Sequence, residues 1–118
     1  MVTGATTDGV VVHLPENDRG RQEAALRNVV NLLRVLGPST TIEVVTHGPG
    51  VTLATGETGL GPSVIEVQQL GAVVCACTNT LQSRRLTKEA LLPGVTVVPS
   101  GVAHLVERQR QGWAYLRP

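Results

Sequence analysis

Val10-Val11-Val12-His13-Leu14, closed by Pro15, is a run that is apolar but for one histidine. Without polar alternation it fits a strand covered on both faces, as in a parallel sheet. A polar turn follows, Glu16-Asn17-Asp18-Arg19-Gly20, in which Glu16 and Asp18 read as turn and cap residues. Leu26, Val29, Val30, Leu33 and Leu36 then recur at helical spacing, with Arg27, Asn31 and Arg34 opposite them. That pattern predicts an amphipathic helix from about Arg21 to Leu36, stopped by Gly37-Pro38. Thr41-Ile42-Glu43-Val44-Val45-Thr46 is a second strand. Strand, helix, strand in that order implies a right-handed parallel crossover.

The pattern continues outward from this unit. Residues 48–62 are glycine-rich and read as a mobile loop or a lid. Ser63 is placed to cap a short helix with Val64, Ile65, Val67 and Leu70 on its apolar face, ended by Gly71. Ala72 to Cys77 is a third buried strand. Thr78-Asn79 is placed to cap a helix from Thr80 to about Leu86, and Thr87 to Ala90 starts one further turn. Val95-Thr96-Val97-Val98 is a fourth strand, closed by Pro99. Val102, Leu105, Val106 and Gln109 lie along a last helix, and Trp113 to Leu116 reads as a short fifth strand. The alternation predicts an α/β fold of three layers, α/β/α, around a mostly parallel five-stranded sheet. One domain over 9–118 follows, with residues 1–8 as a disordered leader.

The 118 residues are enough to bury about two thirds of the unfolded surface without disulfides or a structural metal. Aromatic residues are 2 %, so the core is aliphatic and stacking platforms for single-stranded nucleic acid are lacking. A net charge of +1 gives no basic field for phosphate backbones or an anionic membrane. No apolar run approaches the ~20 residues of a membrane-spanning helix. With no export signal at the N-terminus, Cys75 and Cys77 read as reduced thiols of a cytoplasmic protein.

In open parallel sheets, sites form at the carboxyl ends of the strands. That rule selects residues 13–17, 46–50, 77–80 and 99–101. Cys77 stands out, because it directly precedes a helix start whose free amides favour a thiolate. The plain alternative is a small buried hydrophobe, which applies with more force to Cys75. His47 is placed to polarise a thiolate or a substrate oxygen. His13 reads as a core histidine, and His104 as a surface or interface residue. The Cys-x-Cys spacing is too short for a structural zinc site, which argues against a metal among Cys75, Cys77, His47 and His104. The glycines match no nucleotide-binding loop, and no cofactor is expected.

Val-Val-Thr-His-Gly-Pro-Gly-Val (44–51), Cys-Thr-Asn-Thr-Leu (77–81), Leu-Leu-Pro-Gly-Val-Thr-Val-Val-Pro-Ser-Gly-Val (91–102) and the ending Gln-Gly-Trp-Ala-Tyr-Leu-Arg-Pro together resemble the DsrE/DsrF-like (YchN-like) family. The likeness runs from Val10 to Pro118, and the Asn79-Thr80-Leu81 continuation is similar to an uncharacterised branch. It implies an α/β/α fold and a homo-oligomer, a trimer or hexamer. Characterised members carry sulfur as a cysteine persulfide, and their active cysteine corresponds to Cys77. The pair Arg84-Arg85 resembles a basic pair after that cysteine.

The expectation is a sulfur carrier or sulfurtransferase-like protein that accepts sulfane sulfur on Cys77. His47 and the Asn79 and Thr80 amides would stabilise the anion, and Asn79, Thr80, Gly48 and Gly50 would line the substrate. Its partners would be a sulfur donor or acceptor protein, with no nucleic acid and no membrane. The alternative is a non-enzymatic oligomeric module that binds a small ligand or a protein at the same edge. A third option, a cysteine hydrolase, requires His47 within hydrogen-bond reach of Cys77.

Overall fold

Each apolar run becomes a strand, and all five strands are parallel. The computed structural model describes residues 8–118. The leader expected over 1–8 lies outside them, apart from Asp8, whose carbonyl accepts from the Thr41 amide at 2.8 Å. In chain order the elements are β1 (Gly9–Leu14), α1 (Arg19–Leu36), β2 (Thr41–Thr46), a 3₁₀ helix (Gly48–Ala54), α2 (Gly61–Gln69), β3 (Val73–Cys77), α3 (Thr78–Ser83), a short 3₁₀ turn (Lys88–Ala90), β4 (Thr96–Val98), α4 (Gly101–Arg110) and β5 (Ala114–Leu116). The strand order is β4-β3-β2-β1-β5.

That order fixes the layers. The chain steps from β1 to β2 to β3 to β4 in one direction, so right-handed crossovers stack α1, α2 and the α3 segment on one face. It then returns over the opposite face through α4 to place β5 beside β1. Strand alternation divides the side chains accordingly. Val10, Val12, Leu14, Ile42, Val44, Val74 and Ala76 join α1 and α2 in the larger core. Val11, Val45, Cys75, Val98, Leu105 and Trp113 form a smaller core under α4.

Several local expectations are corrected. Residues 48–62 are not a free loop: Gly50, Val51, Leu53 and Ala54 are buried, and the segment packs on the main core. α2 starts at Gly61 with Pro62 in its first turn, so Ser63 is not its cap. Ile65 and Leu70 point outward; Val64 and Val67 carry its contact with the core. The helix after β3 starts at Thr78, with Cys77 itself at the N-cap position, and ends at Ser83. On α4, Leu105 is buried while Val102 and Val106 are exposed. Asp18 does cap α1, its carboxylate accepting from the Arg21 amide at 2.9 Å. No described helix is long and apolar enough to cross a membrane.

One charged cluster lies inside the smaller core. Glu43 on β2 is buried and faces α4. Arg108 donates to both its oxygens, Nε to Oε1 and Nη2 to Oε2, each at 2.9 Å. The guanidinium also stacks 4.4 Å from the centre of the Trp113 ring. His104 Nε2 lies 2.6 Å from Oε1, so His104 is a partner of the buried carboxylate and not a free surface residue. Burial pushes the Glu43 carboxyl up, but the Arg108 and His104 hydrogen bonds outweigh it and hold the group below its ordinary value. A depressed folded-state value stabilises the fold above the ordinary carboxylate range, and that stabilisation drains away as pH falls through the folded value. Glu43→Ala leaves Arg108 unpaired over Trp113 and is expected to cost about 3 kcal/mol in urea denaturation at neutral pH. The variant should also lose part of the wild type's decline in stability at acid pH. Equal stability of the two proteins at neutral pH would contradict this account.

Candidate functional site

The carboxyl ends of β1, β2, β3 and β4 share one rim of the sheet, and Cys77 ends β3 there. Period-two alternation turns Cys75 and Cys77 toward α4, with Cys75 deeper in the sheet. Cys75 is 1 % exposed, and burial, reinforced by the Glu43 charge, pushes its thiol up to about 12. Cys77 is 5 % exposed. Burial pushes its thiol up too, but the Gly101 amide, the Thr80 amide and hydroxyl and the Asn79 amide near the sulfur outweigh that and lower it below the ordinary value. Two helix starts supply these donors. Asn79 and Thr80 lie in the first turn of α3, whose amides have no partner within the helix. Gly101 is the first residue of α4, which Ser100 caps by accepting from the Ala103 amide at 3.2 Å.

Gly101 leaves little room for a side chain. A Cβ there would stand 3.0 Å from His47 Cβ and 3.4 Å from Cys77 Cβ. The α4 backbone therefore fits into the gap between the ends of β2 and β3. Thr80 is held from behind: its Oγ1 accepts from the Gly48 amide at 2.8 Å, which leaves its hydroxyl proton for the Cys77 sulfur. Gly48 adopts a φ of 56°, the left-handed region, to aim that amide. Gly48 thus meets the site through Thr80. Gly50 is buried against β1, donating to the Pro15 carbonyl at 3.0 Å; a Cβ on it would run into the Leu14 carbonyl oxygen. Arg84 and Arg85 are exposed on the turn after α3.

His47 follows β2 and is half-buried. Its Nε2 lies 2.7 Å from Nε2 of His13, and His13 Nδ1 lies 2.6 Å from the Tyr115 hydroxyl. His13 is therefore not a core histidine. It is half-buried at the rim and links Tyr115 to His47. The parity of β1 carried this signal, because His13 shares its face with Val11, two residues earlier. The place of Tyr115 depends on β5 lying beside β1, in register Val12 with Leu116, which no local pattern reveals. Burial lowers both imidazoles; for His13 the charges of His47 and Arg117 add to it and Glu16 opposes it. Among the described residues His47 makes no hydrogen bond to Cys77, so the arrangement a cysteine hydrolase needs is not formed.

Cys75, Cys77, His47 and His104 do not converge as a metal site. Glu43, Cys75 and His104 do bring donor atoms within 4.8 Å of one another, but Arg108 occupies both oxygens of that carboxylate. Chemically the rim offers one thiol with converging donors and a neighbouring imidazole pair.

A family model described as the DsrE/DsrF-like family matches residues 9–118. No curated protein matches. Among solved structures, a protein of unknown function from Methanobacterium thermoautotrophicum is similar, with 41% identity and a TM-score of 0.89, covering 93% of this chain and 98% of that one. A conserved protein of unknown function from Bacteroides thetaiotaomicron has the same fold at 17% identity and a TM-score of 0.79, covering 98% of each chain.

If the donors around Cys77 set its ionisation, Thr80→Val should raise the midpoint of the pH dependence of iodoacetamide alkylation at Cys77. Cys75→Ser should leave that midpoint in place. An unchanged midpoint in Thr80→Val would show that the hydroxyl has no part in it.

Proposed function

This chain belongs to the DsrE/DsrF-like family, and on that premise we propose that it carries sulfane sulfur as a persulfide on Cys77. The observation that supports this most is the convergence of the Gly101, Thr80 and Asn79 amides and the Thr80 hydroxyl on one sulfur atom at the strand-end rim. Donors to sulfur favour the thiolate, and the thiolate is the species that exchanges sulfur. The Cys77 thiolate attacks the outer sulfur of a donor persulfide, R–S–SH. A sulfur–sulfur bond forms to Cys77, the donor's own sulfur–sulfur bond breaks, and the donor thiolate leaves with the electron pair. An acceptor thiolate then takes the outer sulfur by the same exchange in reverse. No metal, oxidant or organic cofactor enters the balance.

The partners of such a carrier are thiols, small or on a donor or acceptor protein, and Cys77 takes up sulfur while Cys75 does not. Self-association as a trimer or hexamer belongs to the same proposal; the exposed Val102 and Val106 on α4 give it apolar surface to bury. The 5 % exposure of Cys77 favours a second reading, in which the rim binds a small ligand or a protein without transferring sulfur.

Intact-mass measurement after incubation with polysulfide separates the two. The carrier gains sulfur, Cys75→Ser still gains it, Cys77→Ser does not, and an added thiol removes it. A wild-type protein that gains no sulfur contradicts the carrier function and leaves binding at the rim.

A further inference from the structure

Tyr115, His13 and His47 form a hydrogen-bonded chain that leads from solvent to the edge of the Cys77 site. Tyr115 is 43% exposed on β5, at the outer end. His13 Nδ1 meets its hydroxyl at 2.6 Å, and His13 Nε2 meets His47 Nε2 at 2.7 Å. The two rings are 4.9 Å apart between centroids and inclined by 16°. That separation, with nitrogens in contact, is what two imidazoles give when they meet nitrogen to nitrogen and nearly in one plane. One nitrogen must then donate and the other accept, so the pair has a single proton between the rings. Head-on contact also leaves no room for a metal ion between them. At the inner end, the Cβ and Cγ of His47 and the Cβ of Cys77 lie 3.0, 3.4 and 3.4 Å from the place a side chain on Gly101 would start. His47 and Cys77 therefore both border the space beside Gly101. Nδ1 of His47 has no hydrogen-bond partner among the described residues.

We propose that Tyr115–His13–His47 is a proton relay that supplies the proton taken by the donor thiolate when sulfur passes to Cys77. This rests on the carrier function above. The thiolate of Cys77 attacks the outer sulfur of R–S–SH, and RS⁻ leaves with the electron pair of the broken bond. RS⁻ takes a proton from Nδ1 of His47 and departs as RSH. In concert, the His13 Nε2 proton passes to Nε2 of His47 and the Tyr115 hydroxyl proton to Nδ1 of His13, so neither ring becomes an anion. Water restores the hydroxyl, and passage of a proton in the opposite direction, when the acceptor thiol ionises, returns both rings to their starting tautomers. The proton returned is the one Cys77 lost on ionising, so the sum is Cys77–SH + R–S–SH giving Cys77–S–SH + RSH. Burial keeps both imidazoles mostly neutral, which a relay needs, since two protonated rings would face each other with no acceptor between them. The other titratable or charged groups facing the pair are Arg117 just after β5, Glu16 from the turn after β1 and Cys77 from β3. From α4 the Gly101 backbone meets His47, while His104 is held by Glu43. His13 and Tyr115 act through His47 and are positioning residues.

The test compares two reactions of Cys77 across pH in wild type, Tyr115→Phe and His13→Gln. Alkylation by iodoacetamide releases iodide and requires no proton, so it reads the thiolate alone. Sulfur uptake from glutathione persulfide releases a thiolate that must be protonated. The relay predicts that uptake falls at least about tenfold in both variants, that alkylation falls much less, and that added imidazole restores uptake. Uptake that is unchanged, or that falls in step with alkylation and is not rescued, overturns the relay. Tyr115→Phe lies at the surface and keeps the test open if His13→Gln does not fold. Should the wild type take up no sulfur, the carrier function fails and the relay is judged by nitrogen NMR of the ring nitrogens. Coupled titration of His13 and His47, abolished in His13→Gln, supports the shared proton; independent titration of the two rings in the wild type overturns it.

Discussion

The approach of the Gly101 amide to Cys77 depends on a change of side in the chain path. Four strands are laid down in one direction with their connections on one face. The chain then crosses back over the other face through α4 to reach β5, on the far side of β1. That return brings the start of α4 to the rim just where β3 ends. Without it, Cys77 would face a sheet surface with no donors beyond its own helix. The six residues of α3 make too short a helix for a large macrodipole, so the individual amides matter more than the helix as a whole. The absence of a side chain on Gly101 lets the two backbones approach closely enough, with His47 and Cys77 on either side.

α4 ties stability to the site. Along its inner side, Leu105 packs in the smaller core while His104 and Arg108 close over the buried Glu43. That ion pair is a weak source of net stability, because two charges had to leave water. Its effect is to fix where α4 sits, since a carboxylate engaged at both oxygens tolerates little sliding. The same polar cluster explains the contrast between the two thiols. Cys75 lies beside the Glu43 charge in a sealed interior and stays protonated, whereas Cys77, further along the same face, meets N–H donors.

The regular part of this architecture was legible in the sequence. Unalternating runs such as Val10 to Leu14 and Ala72 to Cys77 mark strands covered on both faces, and the stripe from Leu26 to Leu36 marks α1. The candidate position of Cys77 follows from a strand ending where a helix begins. Residues 48–54 were opaque because a glycine-rich 3₁₀ helix has neither the alternation of a strand nor the stripe of an α-helix, although Val51 and Leu53 are fully buried. His13 and His104 were misplaced because each is fixed by a partner distant in sequence, Tyr115 and Glu43. The apolar residues along α4 did not say which of them would be buried: Leu105 packs inward while Val102 and Val106 lie outside, since a covering helix buries one narrow stripe.

The central claim is that amides drawn from two helices favour the thiolate form of one sulfur, that of Cys77. NMR of the backbone amides across pH tests it directly. The Gly101, Thr80 and Asn79 protons should shift together with one midpoint, below that of an ordinary thiol, and the shared transition should vanish in Cys77→Ser. Amides that stay silent, or a common midpoint at or above the ordinary thiol value, would contradict it.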